Sequence, residues 1–220
     1  MTVSIMQPYL LPYAGYYRLL KAQVFVIYDC VQFIRRGRIH RNELLNRNGQ
    51  YDWFTLPIEK PGFHDRIDYV RFVTEWESEL RSRAQAFPSF ATAIERFPSL
   101  NCLFEVRDLD LTDYLERQLI ATRDLLGLPA RIIRSSSLNI PESLKGQDRI
   151  LEICRQLNAT DYVNVPGGVT LYQPEVFRGA GIELHILTDY KLGYESMLDL
   201  LATKAPEDIR TAIDTTYRFI

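Results

Sequence analysis

Apolar and polar positions alternate along the chain in a way that predicts strands interleaved with helices. Val3 and Ile5 begin a short buried strand, and VFVIY at 24–28 is a second one, ending at Asp29. Between them lie a proline-bounded loop with Gln7, Pro8, Pro12 and Gly15, and an apolar helical turn with Tyr16, Tyr17, Leu19 and Leu20. Residues 51–58 are rich in aromatic and β-branched types and predict a strand, as does the alternation over 67–73, with a loop between. From Thr74 the spacing becomes helical, with Trp76, Leu80, Ala84 and Phe87 near one face and Pro88 closing the segment. A short helix over 90–96 and a longer one over 111–126, capped by Gly127 and stopped by Pro129, follow. The last third predicts a strand over 130–135, a helix over 147–157, strands over 160–165 and 182–187, and a helical tail from Tyr190 with Met197, Leu198 and Leu201.

Strands separated by helices pair in parallel through crossovers, which places helices on both faces of a sheet. The expected fold is therefore α/β and Rossmann-like: a mostly parallel sheet in a single domain over 1–220, with a largely helical insert around 74–128. In such sheets the ligand crevice lies beyond the carboxyl ends of the strands. Residues 7–42 become the default site.

Composition narrows the function classes. The 220 residues are 46% hydrophobic and 25% charged, with a formal net charge of −2, so no global bias toward nucleic acid or membrane exists. No stretch has the length of a membrane-spanning helix and the start lacks a basic segment before a long apolar run, so a cytoplasmic chain is expected. Cys30, Cys102 and Cys154 are odd in number and far apart, which argues for reduced thiols rather than a disulfide framework. His40, His64 and His185 are equally scattered, and no metal site is expected.

Within the expected site, Gln7 and Tyr9 follow the first strand on a backbone stiffened by prolines, where they can face a ligand. Tyr13, Tyr16 and Tyr17 fit core packing better. Asp29, at a strand end, could bind a sugar hydroxyl, coordinate Mg²⁺ or act as a base. The run RRGRIHRNELLNR holds five arginines against one glutamate, a local excess suited to phosphate or carboxylate. Its candidates, with Gln32 before it, are Arg36, Arg38, His40, Arg41 and Asn42. Ser135, the Gly167, Gly168 turn and Tyr172 leave later strands at the same expected edge, and Lys145 and Gln147 extend a polar rim. Gln7, Asp29, Gln32, Arg36, Arg41 and Asn42 are expected to line one pocket.

IMQPYLLPYAGYYRLLKAQVFVIYD, VQFIRRGRIHRN, the SSSL segment ahead of KGQDRILEIC, and DYVNVPGGVTLYQPEVFRGAGIEL together resemble the WbqC-like protein family, which is associated with bacterial O-antigen and other surface-polysaccharide gene clusters. Cys30 stands where that family usually has a second aspartate, and Arg38 where it often has an aromatic. The resemblance implies an enzyme that transfers an acyl or aminoacyl group to an amine of a nucleotide-linked sugar. Its partners would be that sugar and an acyl donor, with Asp29 and Gln7 in catalytic roles, no nucleic acid and no membrane insertion; it identifies no cofactor. QPYLLPYAGYYRLL is also similar in layout to the phosphate loop of HIGH-motif nucleotidyltransferases, with Tyr13 and Tyr16 in place of histidines, so an ATP-dependent adenylate-forming ligase or nucleotidyltransferase is an alternative. A noncatalytic nucleotide-sugar-binding protein is another.

Overall fold

A computed structural model describes all 220 residues. Its elements are β1 (Thr2–Met6), α1 (Ala14–Tyr17), β2 (Val24–Ile27), β3 (Arg41–Leu45), β4 (Tyr51–Thr55), α2 (Trp76–Ala84), α3 (Ser89–Arg96) and α4 (Leu111–Leu125). There follow β5 (Arg131–Arg134), α5 (Gly146–Gln156), β6 (Asp161–Asn164), α6 (Pro174–Gly179), β7 (Glu183–Ile186), α7 (Met197–Thr203) and α8 (Pro206–Thr216). The fold is α/β, built on a five-stranded, wholly parallel sheet in the order β5-β2-β1-β6-β7, with a separate antiparallel hairpin of β3 and β4.

Alternation along the strands divides the interior in two. Val3, Ile5, Val24 and Val26 pack with Ile150, Ile153 and Cys154 of α5 and Phe177 of α6 on one face. Phe25, Ile27, Val163 and Leu187 point to the other, where α1, α4, α7, α8, the hairpin and the residues around α2 and α3 join a larger core. Both faces being covered, β2 has no polar position and all four of its residues are buried. Each buried Val, Ile or Phe contributes about 1.5–3 kcal/mol.

Local signals explain most element ends. Asp110 caps α4 by accepting from the Asp113 amide at 2.9 Å, and Gly127 follows its last turn at φ 59°. Three expectations need correction. Residues 67–73 do not form a strand: a 3₁₀ turn over Ile67–Tyr69 is followed only by isolated bridges from Phe72 to Ile58 and from Arg71 to Asp110. The arginine-rich run, for which no strand was expected, contains one over Arg41–Leu45, whose inward positions are Asn42 and Leu44. Residues 190–196 are not helical; the tail turns helical only at Met197, where the Ser196 hydroxyl caps α7 by accepting from the Asp199 amide.

The sheet order decides where a ligand can sit. From β1 the chain crosses to β2 on one side, whereas β6 and β7 lie on the other, so the winding reverses between β1 and β6. The crevice beyond the carboxyl ends of these strands is the binding place of doubly wound sheets.

Candidate functional site

Two cavities open at that edge. The larger, about 490 Å³, is lined by Tyr28, Cys30, Val31, Gln32, His64, Arg66, Glu142, Lys145, Gly146 and Arg149. Three segments build it. The chain leaving β2 pairs with 65–67 through the Phe33 amide to Asp65 carbonyl and Ile67 amide to Val31 carbonyl bonds, and this carries His64 and Arg66 to the end of β2. The third segment is the start of α5, where Gly146 at φ 51° lets the chain turn into the helix with open space above its Cα. Lys145, at the N-cap position, offers no side-chain acceptor to the first turn of α5. Those amides and the positive end of the helix therefore remain available to an anion.

The charges around this cavity are unequal in availability. Asp68 engages Arg66 through two bonds of 3.0 and 2.5 Å. Arg149 has no carboxylate partner: it donates to the Leu144, Cys30 and Glu142 carbonyls, which fixes its guanidinium with its charge uncompensated. It also lies 3.9 Å from the Cys30 sulfur. Lys145 is exposed and makes no bond within the chain. Burial pushes the Tyr28 phenol up to about 12, against the pull of neighbouring Arg149, so Tyr28 is a neutral hydrogen-bonding group on the wall.

The second cavity, about 260 Å³, is lined by Tyr9, Leu10, Pro12, Tyr13, Arg38, Asn42 and Tyr194. The Asn42 amide holds the β1 loop through the Leu11 carbonyl at 2.8 Å, and its oxygen accepts from Arg38 at 2.6 Å. Arg38 also meets Glu43 at 2.7 Å, so its charge is compensated.

The expected single pocket is thus divided. Asn42, Arg38 and Tyr9 line one cavity and Gln32 the other, while His40 faces a third, of about 330 Å³, beside the hairpin. Arg36 is exposed, and Arg41 folds the loop onto itself, donating to the Arg36 and Gly37 carbonyls while its guanidinium stacks 4.3 Å over Trp53. Gln7 is half-buried at the end of β1, and its carbonyl accepts from the Tyr16 hydroxyl. Asp29 is fully buried; its carboxylate accepts from the Ser135 hydroxyl at 2.8 Å, the Ser136 amide at 2.8 Å and the Ser136 hydroxyl at 2.6 Å. Ser135 in turn accepts from the Asp29 and Cys30 amides. Asp29 and Ser135 tie the end of β2 to the end of β5, with two of the three hydrogen bonds falling on Asp29 Oδ1 and one on Oδ2. Gly167 and Gly168 form a tight turn after β6, and Tyr172 packs on Tyr162 and Phe177.

Arg66 and Arg149 were not legible as site residues. Arg149 lay inside a predicted helix, where its place in the first turn was the available signal, and Arg66 lay in a loop with no motif around it.

A family profile matches residues 7–211, spanning both cavities and every strand of the sheet except β1. The chain belongs to the WbqC-like protein family. Among curated proteins, this WbqC-like chain is 27% identical to the uncharacterized protein Rv1507c of Mycobacterium tuberculosis, over 94% of its own length and 97% of the other. No solved structure matches it. No helix of this WbqC-like chain is long and apolar enough to cross a membrane.

Proposed function

We propose that this WbqC-like protein is an enzyme of bacterial surface-polysaccharide biosynthesis that binds a nucleotide-linked amino sugar and transfers an acyl or aminoacyl group to its amine. The observation that carries the reading is the larger cavity: Lys145, the uncompensated Arg149 and the uncapped start of α5 converge at the sheet edge, a setting suited to a diphosphate. The family name supports the pathway. In the reaction, the sugar's amine nitrogen attacks the carbonyl carbon of an activated acyl donor, the bond from that carbon to the donor's leaving group breaks, and a proton leaves the nitrogen. His64, on the cavity wall, offers an imidazole nitrogen to accept that proton. Asp29 serves as a positioning residue.

The HIGH-type nucleotidyltransferase reading has less support. A side chain at Gly15 would meet the Tyr13 ring at 2.3 Å and Tyr190 at 2.6 Å. The chain's own tyrosines occupy the approach above Gly15 that a nucleotide would need. Incubating the protein with nucleotide-linked amino sugars and activated acyl donors, and following product masses, tests the proposal. A sugar gaining one acyl mass is expected; pyrophosphate release from ATP with no acylated sugar would replace it with the nucleotidyltransferase reading.

A further inference from the structure

The smaller cavity differs from the larger one in charge and in shape. Arg38 is neutralised by Glu43, so no free cation faces the space, and the Tyr9, Tyr13 and Tyr194 rings dominate its walls. None of these three phenol hydroxyls bonds to a protein group, which leaves them for a ligand. Tyr13 and Tyr194 are not arranged as a slot. Tyr13 meets Tyr194 at 5.0 Å and 55° and Tyr190 at 5.6 Å and 56°, and Tyr9 meets Tyr16 at 5.4 Å and 41°. The Tyr13 and Tyr194 rings, already in tilted contact with each other, form no parallel slot between them for a flat base. Tilted faces with hydroxyls at their edges instead match a puckered ring that presents C–H groups on its face and hydroxyls at its rim. At about 260 Å³ the cavity suits one such ring rather than an extended ligand.

We infer that the Tyr9, Tyr13, Tyr194 cavity is a subsite for a neutral pyranose ring, distinct from the cationic cavity at α5. The inference rests on the proposed use of a sugar substrate and adds that the glycosyl ring is recognised by aromatic faces, with Arg38 and the phenols donating to its hydroxyls. Anionic groups are left to the cavity of Lys145 and Arg149. Asn42 acts here as a positioning residue, holding Arg38 and the Leu10–Pro12 backbone in place.

Saturation-transfer NMR tests this with the intact protein and three probes: a methyl 2-acetamido-pyranoside, a pyrimidine nucleoside and inorganic pyrophosphate. The glycoside should receive saturation at its ring C–H protons. Tyr194→Ala, which alters a largely exposed side chain, and Tyr9→Phe, which removes only a hydroxyl, should each weaken the glycoside about three- to tenfold. Lys145→Ala should leave glycoside binding unchanged and weaken pyrophosphate. Binding of the nucleoside but not the glycoside, or glycoside binding unmoved in both tyrosine variants, would overturn the assignment. Pyrophosphate binding with no glycoside signal would overturn this inference alone, whereas glycoside binding without pyrophosphate binding would sink the cationic site and leave this one standing.

Discussion

Replacing Asp29 separates a tether from a catalytic base. The carboxylate is fully buried and accepts three hydrogen bonds, two from Ser136 and one from Ser135, across the gap between β2 and β5. Hydrogen bonds to charged groups contribute about 1.5–3 kcal/mol each, but the three share one anion and are not additive. Asp29→Ala also leaves the Ser136 amide without its partner. The expected loss is about 3–5 kcal/mol, a large share of the roughly 5–15 kcal/mol that stabilises a domain. Ser136→Ala removes only the 2.6 Å bond and should cost about 1.5–3 kcal/mol. Urea titrations of the two single variants and the double variant, followed by circular dichroism, give the coupling directly. A tether predicts a double variant little worse than Asp29→Ala. An Asp29→Ala protein as stable as wild type, with only turnover lost, would refute the tether and restore the carboxylate as a base.

Burial, with Arg41 adding to it, holds the His40 imidazole down to about 4, and its Nδ1 has no partner. Between that value and the unfolded one near 6.5 the unfolded chain binds the extra proton, so stability falls as pH is lowered; the His40 share of the loss from pH 7 to pH 5 should be about 2 kcal/mol. Denaturation curves at both values for wild type and His40→Phe check this, and an equal pH response in the two would contradict it. Gly15→Ala should destabilise by about 1–3 kcal/mol, because its Cβ would lie within 3 Å of the Tyr13 and Tyr190 rings; an unchanged melting temperature would show that Tyr190 swings clear. Arg41→Ala should lower stability through loss of its carbonyl bonds and its stacking on Trp53 while leaving diphosphate affinity within about twofold; a tenfold affinity loss in a folded variant would place Arg41 in the site.

The parallel sheet was legible because both faces of its strands are covered, which leaves continuous apolar runs such as VFVIY that only a buried strand explains. Long helices with capping residues, such as α4, were legible for the same local reasons. β3 was hidden because one of its inward positions is Asn42, a polar residue satisfied by the Leu11 carbonyl and Arg38, contacts that no periodicity reveals. Residues 67–73 alternate only because a 3₁₀ turn buries Ile67 and Val70 while a separate extended piece buries Phe72. The edge at which the candidate cavities open followed from strand order, but its division into separate cavities did not. Which arginines face a ligand depends on whether carboxylates or carbonyls already hold them: Asp68 holds Arg66, Arg41 is spent on its own loop, and Arg149 keeps an uncompensated charge.

The most direct measurement is calorimetric titration of a nucleotide-linked amino sugar into wild type, Lys145→Ala, Lys145→Arg and Arg36→Ala. Lys145 is exposed and makes no bond within the chain, so its loss reports on the ligand rather than on folding. Loss of one charge-assisted contact at the start of α5 should weaken binding by about ten- to a hundredfold in Lys145→Ala. Lys145→Arg should retain most of the affinity, and Arg36→Ala should match wild type. Wild-type affinity in Lys145→Ala, or a loss confined to Arg36→Ala, would contradict the assignment of the diphosphate to the cavity at α5.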